Sequence, residues 1–71
     1  MLEPALGMPV LYRGPEEDSE WKAALVVQEV PLELVVFDNG AKTRSVYPMG
    51  EGEAPGCWKL PRFLLMLALR L

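Results

Sequence analysis

Short runs of Val and Leu alternate with turn chemistry along this chain. Residues 21–30, 32–37 and 44–47 are the apolar runs, joined at Pro31 and at Asp38-Asn39-Gly40, the second join being a strong hairpin signal. Residues 8–13 predict a first strand, and Gly14-Pro15-Glu16-Glu17-Asp18-Ser19-Glu20 a polar excursion after it. Over residues 21–29, Trp21, Ala23, Leu25 and Val27 fall on one face of a strand, with Lys22, Ala24, Val26 and Gln28 on the other. Apolar residues occur on both faces, which predicts a central strand covered on both sides. In the next strand Leu32, Leu34 and Val36 alternate with Glu33, Val35 and Phe37. Asn39 and Gly40 adopt positive φ cheaply and turn the chain back into residues 42–47, where Lys42 and Arg44 share one face. Residues 48–56 have almost no strand or helix propensity, and residues 57–60 read as a last short strand or 3₁₀ turn stopped by Pro61.

Five short strands with turns every eight to twelve residues or so predict an all-β domain, a small SH3-like, partly open barrel. The expected organisation is a single domain over residues 1–71, with an N-terminal arm at 1–6, a β-barrel core at 7–61 and an apolar tail at 62–71. That tail is the sharpest anomaly. Phe63, Leu64, Leu65, Met66, Leu67, Ala68, Leu69, Arg70 and Leu71 include one charge, yet so short a run falls well below the roughly twenty residues a membrane-spanning helix needs. As a strand or as a helix it is apolar on nearly every side, more than so small a domain can cover. It is therefore expected both to pack over an open barrel end and to offer Phe63, Leu64, Leu65, Met66, Leu67 and Leu69 to a protein partner or a second copy.

Composition narrows the chemistry further. The chain has 71 residues, a net charge of −3, one cysteine and no histidine. Cys57 has no thiol to pair with and no imidazole to activate it, so it is expected as a small half-buried residue. No catalytic residue, metal site or cofactor is expected, because zinc would need thiolates the chain lacks. Acids gather at Glu16, Glu17, Asp18 and Glu20 and again at Glu51 and Glu53, among Gly and Pro, which reads as solvated loops. An acidic surface disfavours phosphate, so no nucleic-acid partner is expected, and no small-molecule substrate either. Met1 to Met8 shows no secretory pattern, which points to the cytoplasm. The chain has no isoleucine and few amides beside its 7 prolines, a composition that fits a GC-rich, thermophilic host.

Four pieces stand in a familiar order: Gly7-Met8-Pro9-Val10-Leu11-Tyr12, Lys22-Ala23-Ala24-Leu25-Val26-Val27, Leu34-Val35-Val36-Phe37-Asp38-Asn39-Gly40, and Pro55-Gly56-Cys57-Trp58-Lys59-Leu60-Pro61. Their order resembles a group of small tailed-phage and prophage proteins with a Gly-x-x-Val-x-Tyr start, an Arg-Pro-Ala-(Ile/Leu)-Val-Val strand, a Leu-x-Val-Phe-x-Asp-Gly hairpin and a Pro-Gly-x-Trp-x-x-Pro close. The chain departs from that pattern at Leu11, where the group has His, at Ala23, where it has Pro, and by running ten residues past Pro61. The resemblance implies a phage origin, in the host cytoplasm or the virion, and no particular reaction. With the tail, it predicts a non-catalytic structural or adaptor protein of virion assembly that works by protein–protein contact. The alternative is a small acidic phage regulator that binds and inhibits a host enzyme such as RNA polymerase, competing with nucleic acid for a basic cleft. Trp58 is expected to plug one end of the barrel, whereas Tyr12, Trp21 and Tyr47 are the candidates for an aromatic groove that takes an extended peptide.

Overall fold

A computed structural model describes residues 4–38 and 42–62. Its strands are β1 (Pro9–Arg13), β2 (Trp21–Gln28), β3 (Glu33–Phe37), β4 (Thr43–Val46) and β5 (Trp58–Lys59). All five join one antiparallel sheet in the order β4-β3-β2-β1-β5, so the last strand returns beside the first. β4 and β5 are the two ends of that order, and the sheet is an all-β, partly open barrel of the kind the strand pattern predicts. The Asn39-Gly40 turn and the whole run from Phe63 to Leu71 lie outside the described residues.

Side-chain alternation decides which surface is inside. Val10 and Tyr12 of β1, Ala24 and Val26 of β2, Leu34 and Val36 of β3, and Trp58 and Leu60 around β5 are buried together. The register sets them side by side, with Val10 opposite Ala24, Val26 opposite Leu34, and Tyr12 opposite Trp58. Burying an aliphatic side chain of this size contributes about 1.5–3 kcal/mol, and this single layer is the main favourable term for the described domain. Trp58 is buried within this cluster at 5% exposure. Met8, Leu32 and Val46 pack around its margin.

One expectation for β2 is corrected. The strand is covered on one side only: Ala24 and Val26 are buried, whereas Ala23 and Val27 are exposed and Leu25 is half-buried. The reason is that every other strand presents the same parity to the core, so no second layer of described residues remains to cover the odd-numbered face.

Backbone hydrogen bonds extend the sheet at both ends of β1. Gly7 N–H donates to Val26 O at 2.8 Å and Val26 N–H to Met8 O at 3.1 Å, holding the residues just before β1 against β2. The outer edge of β5 is occupied by its own preceding loop, since Trp58 N–H donates to Gly50 O and Gly52 N–H to Trp58 O. Such pairing protects one edge of the sheet from other chains.

Gly56 holds that loop in place. It is buried with φ of +84°, and its N–H reaches both Arg13 O and Gly14 O at 2.9 Å. A Cβ added there would lie 3.1 Å from Met49 Sδ. Met49 is exposed and can yield, so the left-handed backbone carries most of the cost. Gly56→Ala is expected to lose about 1–2 kcal/mol in urea unfolding. Gly50→Ala, where an added Cβ meets nothing within 4 Å, should lose distinctly less.

Candidate interaction surface

The odd-numbered face of the sheet, turned away from the core, is built from three adjacent strands. β1 supplies Leu11, β2 supplies Ala23, Leu25 and Val27, and β3 supplies Val35 and Phe37. Leu11 lies opposite Ala23 and Leu25 opposite Val35, so these side chains form contiguous rows. Val27 is 44% and Phe37 42% exposed, with Leu11, Leu25 and Val35 half-buried between neighbours. Scattered apolar side chains need no explanation on a protein surface; these differ in being joined across neighbouring strands.

Charge frames the patch at opposite corners. At one corner Lys59 Nζ stands 4.2 Å from the centre of the Trp21 ring and 3.1 Å from Glu53 Oε2. Beside it Arg13 donates to three backbone carbonyls: Glu53 O at 2.8 Å, Glu17 O at 2.6 Å and Ser19 O at 3.3 Å. These are neutral acceptors, so the guanidinium keeps its positive charge while it fastens the acidic loop to the loop before β5. At the other corner stands Glu33, whose Oε1 accepts from Tyr47 Oη at 3.5 Å.

The sequence-predicted groove residues are not brought together. Tyr12 lies within the core on the even-numbered face, at 5% exposure. Its partner across the strands is Lys22, which puts the adjacent Trp21 on the opposite face, half-buried beneath Lys59. Tyr47 is 65% exposed just past β4, near the far edge of the sheet. A shared groove of Tyr12, Trp21 and Tyr47 is thus excluded by strand parity. The tail candidates Phe63, Leu64, Leu65, Met66, Leu67 and Leu69 lie outside the described residues.

A second polar feature occupies the rim of the core-side face. Asp38 Oδ1 accepts from Lys22 Nζ and Asp38 Oδ2 from Arg44 Nε, both at 2.8 Å. Lys22 and Arg44 also border a cleft of about 510 Å³ whose other wall is the acidic loop, with Glu16, Asp18 and Glu20. Three carboxylates against two cations already shared with Asp38 make this a poor anion site, and no group of side chains among the described residues is arranged to hold a metal ion. Cys57 is half-buried, as expected.

The hydrogen bond from Lys22 is the largest influence on Asp38 and outweighs its partial desolvation; with Arg44 added, the carboxyl titrates below its ordinary value of 3.8. A depressed folded-state value means the cluster stabilises fully above that ordinary value and fades as pH falls through the lowered one. Acid titration of the melting temperature should therefore show a smaller loss below about pH 4 in Asp38→Asn than in wild type, with the two converging at the lowest pH.

Comparison of the chain with protein-family models, with characterised proteins and with solved structures finds no match. None of the helices among the described residues is long and apolar enough to cross a membrane.

Proposed function

We propose that the protein is a non-catalytic adaptor of tailed-phage assembly, acting by protein–protein contact in the host cytoplasm or within the virion. The observation that supports this most is the apolar outer face of the sheet centred on Leu25, Val35 and Phe37. Regular strands present those side chains together on one surface, which suits contact with another folded surface. The resemblance of the chain to small phage proteins supplies the setting. Mass spectrometry of purified particles, or of assembly intermediates, should find the chain in stoichiometric amount. Phe37→Glu should deplete it there while leaving its melting temperature close to wild type, because Phe37 is outside the core.

One observation favours the regulator reading. Arg13 fixes the loop that carries Glu16, Glu17, Asp18 and Glu20, so its acids are presented on a tethered segment. Under that reading a tagged chain retains one host enzyme complex, and reversing Glu16 and Glu17 to Lys releases it, with no enrichment in particles. Neither reading involves nucleic acid directly. Fluorescence anisotropy with duplex DNA near physiological salt should show nothing tighter than the nonspecific range of about 10⁻⁴–10⁻⁶ M. A submicromolar affinity would overturn both.

A further inference from the structure

We propose that residues 63–71 of this chain close the end of the barrel at which β1 begins, completing the core from its own C-terminal segment. The inference is independent of the outer face, because it concerns the inner surface of the sheet and where the chain leaves it.

The two ends of the core differ. At the end where β1 finishes, Tyr12 and Trp58 are both buried, and Arg13 ties the loop after β1 to the loop before β5. At the other end the core stops at one row of side chains. Met8 O accepts from Val26 N–H, Val26 lies opposite Leu34, and Leu34 lies opposite Val46. Val26 and Leu34, in the middle of that row, are fully buried. Met8 and Val46 at its flanks, with Leu32 just before β3, are only half-buried. Leu6, Val30 and Tyr47 stand exposed around the same end. An apolar rim that leads into an incompletely covered core is a seat for further apolar side chains.

The path of the chain selects the occupant. β5 runs antiparallel to β1, with Trp58 beside Tyr12 and then Lys59 beside Leu11, so it heads toward that open end. Leu60 and Pro61 are still buried on the way, and Arg62 is exposed. The nine residues that follow are apolar except for Arg70. The sheet is four inter-strand steps wide, at about 4.8 Å each, and its curl shortens the way across. Nine residues reach between about 14 Å when coiled and about 30 Å when extended, enough to cross from β5 to β4. A segment tethered this close meets its seat at an effective concentration in about the millimolar range, which favours it over another chain.

A nitroxide on the full chain locates the segment. Cys57→Ser removes the native thiol, and Leu71→Cys carries the label. The amide signals of Met8, Leu32 and Val46 should be broadened away, while those of Glu16 to Glu20 and of Phe37, at the other end of β3, keep their intensity. The pattern should not change on dilution, and a nitroxide on one copy should leave the signals of a second, isotope-labelled copy intact. Leu65→Glu in the same chain should weaken the broadening and accelerate amide exchange at Val26 and Leu34. If that variant does not fold, the label on the otherwise unchanged segment still decides. Broadening centred on Ala23 and Phe37 would place the segment on the outer face, and broadening that passes between copies would give it to a second chain. Either result overturns the proposal, as does a labelled chain with no broadening at Met8, Leu32 and Val46.

Discussion

Leu34→Ala is expected to remove most of the stability of this domain. Leu34 is 0% exposed and is the second residue of β3, with Val26 opposite on one side and Val46 on the other. Truncation there loses the transfer free energy of the removed groups and leaves a cavity that sheet neighbours on both sides cannot easily fill. Comparable core truncations cost about 2–5 kcal/mol. A chain of this size has a total of only about 4–10 kcal/mol to lose. The melting temperature should fall by about 10 °C or more. Val35→Ala, one residue along and on the outer face, should cost about 1 kcal/mol or less, since Val35 is only half-buried. The contrast between adjacent positions is the test, because it measures strand parity directly. Equal losses would mean the outer face is buried to the same depth as the core, and would remove the basis for a contact surface there.

That parity was only half legible in the sequence. In β3 Glu33 shares a face with Val35 and Phe37, which marks that face as the outer one. In β2 the polar residues mislead, because Lys22 and Gln28 share their face with Ala24 and Val26, the two that are buried. Lys22 is accommodated because it stands at the rim, where its ammonium reaches Asp38, a partner that no strand pattern in one segment specifies. Gln28 lies beyond a break in register between Val26 and Gln28 and has left the core altogether. The expectation that β2 is covered on both sides followed from the apolar residues on both of its faces, and these two polar residues gave no sign of which face lies inside. The aromatic groove failed for the same reason: Tyr12 and Trp21 look equivalent until the register pairs Tyr12 with Lys22. Strand positions were readable because Pro, Gly and acidic clusters punctuate short Val-rich runs, a local signal. The work of Arg13 was not readable, since its acceptors are backbone carbonyls and carry no side-chain signature.

Arg13→Ala is expected to lose about 2–3 kcal/mol, a large effect for a side chain at the surface. Its three bonds run to Glu17 O and Ser19 O in the loop after β1 and to Glu53 O in the loop before β5. Charge-assisted bonds of this kind contribute about 1.5–3 kcal/mol each when sheltered, but these are partly exposed and act as one unit, so the total falls well short of their sum. The same residue also holds the segment leading into β5 through its backbone, donating to Cys57 O and accepting from Gly56 N–H. Backbone bonds survive the substitution, so strand pairing persists and amide exchange should accelerate mainly in residues 14–20 and 50–56. Arg13→Lys should recover little, because one ammonium cannot reach acceptors spread around a planar fork. Salt separates this role from a merely electrostatic one. If Arg13 acted chiefly by balancing Glu16, Glu17 and Asp18, about 0.5 M salt would screen most of the difference between wild type and variant. Bonds to neutral carbonyls predict that the difference persists, together with fast exchange in both loops. A difference that disappears in salt would reduce Arg13 to a counter-charge and leave the acidic loop without its tether.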